Sequence, residues 1–101
     1  LGKALTPASR AQLTRWMIGN KTGDARLRDG FPHARFPNEW RIGDKTGTGE
    51  RGTANDIAIA WPPSREPIIV TTYLTESTVS PDQQNAAIAD VARSIAGAIE
   101  R

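Results

Sequence analysis

Three strand-like segments follow one another in the second half of the chain, and only short loops separate them. The segments cover about residues 40–49, 54–62 and 67–75, and each contains β-branched or aromatic residues. Loops of a few residues join antiparallel neighbours, because a parallel crossover needs about a dozen residues or more. The sequence therefore predicts a three-stranded antiparallel meander.

A helix is predicted on each side of this meander. Thr6 is a candidate N-cap and Pro7 suits the first helical position, so a helix is expected over about 7–19. The run Ser80-Pro81-Asp82-Gln83 has the spacing of a capping box, and a second helix is expected over about 81–100. This second helix has an apolar stripe that consists of Ile88, Val91, Ile95 and Ile99.

The segment 21–38 is polar and rich in Gly and Pro, so we expect mostly loop there, with one helical turn near Asp24–Arg28. The predicted fold class is α/β of the α+β type, an antiparallel three-stranded meander flanked by an N-terminal and a C-terminal helix. The whole chain, 1–101, is expected to form one unit. It divides into helix and loop (1–37), antiparallel strands (38–75) and the C-terminal helix (76–101).

The third predicted strand is apolar on both sides. Ile68, Val70 and Leu74 alternate with Ile69 and Tyr73, so both faces of the strand require burial. The last helix can cover only one of these faces. A second layer, supplied from elsewhere, is therefore expected on the other face.

Composition argues against several classes of partner. The net charge is only +2 and basic residues are scattered among acids, so we expect no nucleic-acid partner. No run of about 18 apolar residues is present, so we expect no membrane partner. The chain has no cysteine, and therefore no disulfide framework or thiolate metal site. It begins at Leu1, as expected of a processed, cut or separately expressed portion of a longer protein.

One short stretch, Asp44–Gly49 (Asp-Lys-Thr-Gly-Thr-Gly), lies where the first strand meets its hairpin. Lys45 supplies a positive charge, Thr46 and Thr48 supply hydroxyl groups, and Gly47 leaves room for a ligand lying against the strand. An edge strand with this lining can pair with a substrate amide and bind an anionic group at its lysine end. Taken alone, Lys-Thr-Gly also fits a polar strand end that approaches a turn.

Several ordered blocks around this motif resemble the C-terminal part of the class A serine β-lactamases. The resemblance runs from Leu5 to Arg101 and implies a fold like that of β-lactamases and penicillin-binding proteins. Its blocks are Leu5–Arg10 (LTPASR), Arg15–Met17 (RWM), Asn20–Arg28 (NKTGDARLR), Trp40–Gly49 (WRIGDKTGTG) and Thr53–Pro62 (TANDIAIAWP).

The resemblance implies roles for the residues of the Lys-Thr-Gly strand. Lys45 looks like the family lysine that organises the active site and attracts the β-lactam carboxylate. Thr46 and Thr48 look like the hydroxyls that bind this carboxylate, on the same substrate-binding strand as Gly47. The backbone N–H of Thr48 is similar in position to an oxyanion-hole donor, whose loss typically costs about 10²–10³ in rate. Lys45 and Thr48 are thus implied as catalytic residues, and Thr46, Gly47 and Thr48 as substrate-binding residues.

Two departures from the family pattern concern the neighbouring loop. Many members have an arginine where this chain has Ala54, and members without it can use an arginine upstream, where this chain has Arg26. The resemblance therefore implies Arg26 as a carboxylate anchor, with Thr22 nearby; the alternative interpretation is an exposed loop arginine. The loop before the first strand is also longer than usual, with residues 32–36 as its surplus. Its surplus contains His33, which we interpret as a solvated loop histidine and not as a base.

The greater departure is an absence. The 101 residues contain no Ser-x-x-Lys, no Ser-Asp-Asn and no Glu-x-x-x-Asn, so the family's nucleophile and hydrolytic-water residues are not found in this sequence. The resemblance implies that the complete enzyme hydrolyses β-lactam antibiotics through an acyl-serine intermediate, in the periplasm or outside the cell, with no metal or organic cofactor. For the chain alone we predict no hydrolysis, and we expect the N-terminal portion of the same enzyme as its partner.

Two other interpretations were weighed. The segment Gly47–Gly52 matches the glycine spacing of a dinucleotide fingerprint, but a strand and not a helix is predicted after it, so nucleotide binding is not expected. The second interpretation is a non-catalytic interaction fragment that folds or assembles only with its N-terminal half. The two-faced third strand favours it, because an exposed apolar sheet invites association.

Overall fold

The computed structural model describes residues 2–33 and 39–100. The three strands form one antiparallel sheet in the order β1-β2-β3, which confirms the predicted meander and its two flanking helices. No helix in the described part of the chain is both long and apolar enough to cross a membrane. The elements in chain order are α1 (Pro7–Ile18), α2 (Leu27–Gly30), β1 (Arg41–Gly49), β2 (Thr53–Trp61), β3 (Ile68–Leu74) and α3 (Pro81–Ile99).

Both long helices begin at the caps that the sequence predicts. The Thr6 hydroxyl accepts a hydrogen bond from the Ser9 backbone N–H at 3.2 Å. At the start of α3, the Gln83 backbone N–H donates to the Ser80 hydroxyl, and the Ser80 backbone N–H donates to the Gln83 side chain, each at 3.2 Å. Because each cap satisfies amides that have no partner within the helix, these contacts fix where α1 and α3 start.

The short helix α2 lies slightly beyond its predicted position near residues 24–28. It starts at Leu27, whose backbone N–H donates to the buried carboxyl of Asp56 at 3.1 Å. Leu27 is itself fully buried against the sheet. The helical turn therefore forms where a residue distant in sequence supplies an acceptor, which local composition alone does not predict.

The hydrophobic core lies between α3 and the sheet face to which Ala54, Ala58 and Ala60 of β2 contribute. Small residues, including Ala89, Ala92 and Ala96, dominate the buried side of α3. The larger Ile88 is also buried on this side. Ile95 and Ile99 pack against this core only in part. The inclusion of Val91 in the predicted stripe was wrong, since its side chain is 42% exposed. The buried side of α3 is centred near Ala92, and Val91 lies one residue, and so about 100°, away from it around the helix.

Gly30 of α2 shows how close this packing is. A Cβ added there would lie 1.9 Å from the Ala89 carbonyl oxygen of α3, so no larger residue fits without movement of the backbone. Next to it, Phe31 stacks on Trp40 with ring centroids 5.3 Å apart. These contacts close the end of the core and hold the loop before β1 against α3.

The opposite face of the sheet has much less cover. Helix α1 lies against the start of β1, where a Cβ on Gly43 would be 3.0 Å from the Met17 side chain. None of the α1 residues is buried, and Ile69 and Tyr73 of β3 are 64% and 73% exposed. An apolar groove of about 350 Å³ lies between α1 and the sheet, with Leu13, Met17 and Ile57 in its lining. The described residues thus leave an apolar sheet face open, as the alternation in the third strand predicts.

Candidate functional site

The Lys-Thr-Gly motif lies on β1, which is an edge strand of the sheet among the described residues. The side chains of Lys45 and Thr48 are exposed, and that of Thr46 is half-buried. Because side chains alternate along a strand, Lys45 lies on the face opposite to Thr46 and Thr48. A Cβ added at Gly47 would meet only the Asn55 side chain, at 3.8 Å. The space above Gly47 on the Lys45 face is therefore open, while the hydroxyls of Thr46 and Thr48 lie on the other face of the same edge strand.

Arg26 extends its guanidinium from the loop before α2 into the end of this strand. Its Nη1 donates to the backbone carbonyls of Gly47 and Asn55, at 3.0 and 2.7 Å. Its Nε donates to the Asn85 side chain of α3 at 2.8 Å, and its Nη2 donates to the Thr48 hydroxyl at 2.8 Å. Arg26 is only 8% exposed, so the alternative of an exposed loop arginine was wrong.

These contacts determine what Arg26 and Thr48 can still offer a ligand. A guanidinium has five N–H groups and accepts no hydrogen bond, so four are engaged and one Nη2–H has no partner among the described residues. The Thr48 hydroxyl uses a lone pair to accept from Arg26, which leaves its own proton available. Two donors therefore lie next to each other at the exposed end of β1, and one belongs to a fixed cation.

Thr22, on the loop before α2, meets Thr46 of β1. Their hydroxyl oxygens are 2.6 Å apart. The Thr22 hydroxyl is also 2.9 Å from Asn20 Oδ1, an atom that can only accept, so the Thr22 proton is directed to Asn20. Thr46 must then donate its proton to Thr22, so the Thr46 proton is already engaged. The Thr48 proton, by contrast, is free. The structure thus brings Thr22, Thr46, Thr48 and Arg26 together, with different hydrogen-bond directions at the two strand threonines.

Two carboxyl groups lie fully buried beneath this surface. Asp44 of β1 accepts hydrogen bonds from Asn20 Nδ2 at 3.0 Å and from Arg28 Nη2 at 2.9 Å. Asp56 of β2 accepts from the Leu27 backbone N–H. Burial, followed by the hydrogen bond to Asp44 and the charge of Asp44, raises the pKa of Asp56 from 3.8 to about 8. Asp56 therefore holds its proton more firmly than an ordinary aspartate does.

Gly23 explains how the loop comes so near to these acids. A Cβ at this position would lie 1.6 Å from Asp44 Oδ2, so only a glycine allows the backbone to pass there. The loop that carries Thr22 and Arg26 is consequently pressed against β1. Glycine at position 23 is a condition for the arrangement of the site.

Several residues of the site were missed by sequence reasoning. Asn85 comes from the distant helix α3, and nothing in the sequence pairs it with Arg26. Asn20 and Arg28 gave no signal either, since nothing in the sequence pairs them with Asp44. Asp56 did give a signal in the sequence, because it lies between Ala54 and Ala58 in the set of positions that faces the buried side of β2. An acid in that pattern indicates a buried polar group.

The longer loop before β1 is described only in part. His33 is exposed and its Nδ1 lies 2.8 Å from the Phe31 carbonyl oxygen. Of the surplus segment, residues 34–36 lie outside the described residues. Within 2–33 and 39–100, no three His, Asp or Glu side chains are grouped so that they could hold a metal ion.

This chain is similar to known proteins in both sequence and fold. The β-lactamase enzyme family model matches residues 1–99. The ancestral class A β-lactamase reconstructed for Gram-negative bacteria superposes with a TM-score of 0.89 at 58% identity, over 97% of this chain. The chain belongs to the class A β-lactamase family. A solved structure of PenP from Rhodopseudomonas palustris, described as a putative class A β-lactamase, is 61% identical with a TM-score of 0.89.

The match covers only part of these class A β-lactamases. The β-lactamase CTX-M-6 of Salmonella typhimurium is 42% identical over 92% of this chain but only 30% of its own length. A β-lactamase of Streptomyces fradiae is 40% identical over 98% of this chain and 31% of its own length. The chain covers 36% of the ancestral enzyme's chain. It therefore spans about a third of the length of the class A β-lactamases that it matches.

Proposed function

We propose that this chain is the substrate-binding C-terminal part of a class A serine β-lactamase, an enzyme that hydrolyses the β-lactam amide bond through an acyl-serine intermediate. The observation that carries the proposal is the guanidinium of Arg26, fixed by four hydrogen bonds next to the Thr48 hydroxyl on an open edge strand. The remaining Nη2–H of Arg26 and the free Thr48 proton bind the carboxylate of the lactam. A charge-assisted hydrogen bond of this kind is worth about 1.5–3 kcal/mol.

The free edge of β1 supports the same proposal. An extended ligand can lie along it beside Gly47, because the space there is open on this chain. Lys45 adds positive charge near the site, and Thr46 contributes its hydroxyl when it turns its proton from Thr22 to the ligand. The backbone N–H of Thr48 serves as one oxyanion donor, and the nucleophilic serine provides the other.

The remaining catalytic groups come from a partner, the N-terminal portion of the same enzyme. Neither Ser-x-x-Lys nor Ser-Asp-Asn occurs in this sequence, so this chain provides binding and oxyanion groups and the partner provides the nucleophile. The reaction requires no metal or organic cofactor, because serine attack and water hydrolysis supply the chemistry. We place the complete enzyme in the periplasm or outside the cell.

Reconstitution tests this proposal. The purified chain is mixed or coexpressed with the N-terminal portion of the ancestral class A enzyme, and hydrolysis of a chromogenic cephalosporin is followed. We expect no turnover by either part alone and measurable turnover by the pair. Lys45→Ala in the pair should reduce turnover strongly, whereas Lys3→Ala, an exposed control, should not. Turnover by the chain alone, or a folded pair without activity, would contradict the proposal.

A non-catalytic interaction fragment is the second candidate function. The observation that favours it is the open apolar sheet face, with Ile69 and Tyr73 exposed beside the groove under α1. On this alternative, the chain binds the N-terminal portion but restores no hydrolysis. The same mixing experiment separates the two functions, because binding and turnover are measured independently.

A further inference from the structure

The buried acids Asp44 and Asp56 have an unusual pattern of hydrogen bonds. Both side chains are fully buried. Asp44 Oδ1 accepts two hydrogen bonds and Asp56 Oδ2 accepts one. The other two oxygens, Asp44 Oδ2 and Asp56 Oδ1, have no donor among the described residues. Unsatisfied buried oxygens are costly, so an explanation is required.

The position of the two strands supplies that explanation. Asp56 lies opposite Thr46, and Thr46 is two residues from Asp44, so the two acids are diagonal neighbours on one face of the sheet. Two carboxylates cannot form a hydrogen bond with each other, but a carboxylic acid and a carboxylate can. A single proton between Asp56 Oδ1 and Asp44 Oδ2 satisfies both of the remaining oxygens.

The surrounding charges decide on which acid the proton resides. Arg28 is 2.9 Å from Asp44 Oδ1, so the negative charge is favoured on Asp44. Arg26 acts on Asp56 from a greater distance, as a charge without a hydrogen bond. Asn85 of α3 accepts a hydrogen bond from Arg26, and both Asn85 and the buried Gln84 that precedes it are neutral. The proton therefore belongs to Asp56, which donates it to Asp44.

We propose that Asp44 and Asp56, joined by one proton, act as a positioning pair that holds the loop carrying Thr22 and Arg26 against the strand carrying Lys45 and Thr48. Asp44 binds this loop through Asn20 and Arg28, on both sides of Arg26 in sequence. Asp56 binds it at the Leu27 N–H, the residue directly after Arg26. The relevance of this pair to β-lactam binding rests on the proposed function above, but the pair itself does not.

The proposal predicts how stability depends on pH. The pKa of Asp56 is raised from 3.8 to about 8 in the folded chain, so the folded state holds an additional proton between these values. Unfolding releases that proton, and stability therefore falls as pH rises from about 4 to about 8 and then levels off. Asp56→Asn should remove this dependence, because its amide donates to Asp44 at every pH while its oxygen still accepts from Leu27.

A pH titration by NMR tests the pair directly on the chain without any β-lactam. With ¹³C-labelled aspartate, the Asp56 carboxyl signal should change near pH 8, and the signals of Arg26 Nε–H and Leu27 N–H should follow it. In Asp56→Asn both N–H signals should stay close to their low-pH positions throughout. Asp56→Ala should displace them at every pH; if this variant does not fold, the comparison with Asp56→Asn decides. The proposal would be overturned if both acids ionised below pH 5, or if the N–H signals did not shift while Asp56 titrates.

Kinetics of the reconstituted enzyme then test the link to binding. KM should rise severalfold above pH 8 for the original chain and remain constant for Asp56→Asn, while the N–H signals report the loop separately. A normal titration with a KM that does not change would overturn the role of the pair in binding. Failure of reconstitution itself would count against the proposed function. It would not affect the titration result, which is measured on the chain alone.

Discussion

At the scale of single residues, the guanidinium of Arg26 connects three parts of the fold. It reaches the carbonyls of Gly47 and Asn55 on two strands, the Asn85 side chain on α3, and the Thr48 hydroxyl. A planar group with five donors suits this set of acceptors, and an ammonium group does not. Arg26 therefore has a structural role as well as its proposed role in binding.

Arg26→Lys should separate these roles. A lysine retains the charge but leaves buried acceptors without donors, so we expect a loss of about 1–3 kcal/mol of stability in urea denaturation. In the reconstituted enzyme KM should rise about tenfold, which corresponds to a loss of about 1.4 kcal/mol in the binding free energy of the substrate. The exposed Arg15→Lys is the matched control and should change stability by less than about 0.5 kcal/mol. Equal effects of the two substitutions would show that Arg26 is not a specific anchor.

At the scale of elements, local signals fix where helices begin and distant contacts fix how they pack. The Ser80 cap lies at the end of a loop and starts a 19-residue helix. That helix carries Asn85 within its first two turns, and Asn85 binds Arg26. The start of α3 is therefore connected to the candidate site.

Ser80→Ala should measure the contribution of this cap. Loss of the hydroxyl leaves the Gln83 N–H without its acceptor, and caps of this kind are worth about 1 kcal/mol. We expect the urea midpoint to fall with an unchanged m value. Ser80→Asp should keep most of the stability, because a carboxylate also accepts at a helix N-terminus. If Ser94→Ala, an exposed mid-helix change, lowered the midpoint as much as Ser80→Ala, the cap would not be the cause.

At the scale of the whole molecule, one sheet face is packed and the other is open. Helices α2 and α3 cover the packed face, whereas Ile69 and Tyr73 are largely exposed on the other. The chain covers about a third of the length of the class A β-lactamases that it matches. Exposed apolar surface of this kind promotes association, so the behaviour of the chain in solution depends on this face.

Ile69→Glu should reduce that association. We expect the original chain to self-associate as its concentration rises in sedimentation experiments and to bind an apolar dye. A charge at residue 69 should lower both without loss of secondary structure, because the side chain is 64% exposed. Ala98→Glu, at an exposed position of α3, should leave both unchanged. Association that persists in Ile69→Glu would show that another surface is responsible.

Much of the fold could be predicted from sequence, because its signals are local. Strand alternation, short loops and the caps at Thr6 and Ser80 each depend on residues a few positions apart, and the structure confirms them. The blocks around Lys45 likewise identified the family without coordinates. Arg26 was named as a site residue from the family resemblance alone, and its role in binding stays a prediction.

Only the tertiary structure showed what surrounds those residues. The contact of Arg26 with Asn85, the link from Thr22 to Asp44 through Asn20, and the position of Asp44 diagonal to Asp56 on one sheet face join residues distant in sequence. Hydrogen-bond partners and pKa values depend on burial and on distances of a few ångströms, which chain order does not specify. The sequence by itself determined the elements and the family. Packing decided the burial of Arg26, the outward position of Val91 and the raised pKa of Asp56.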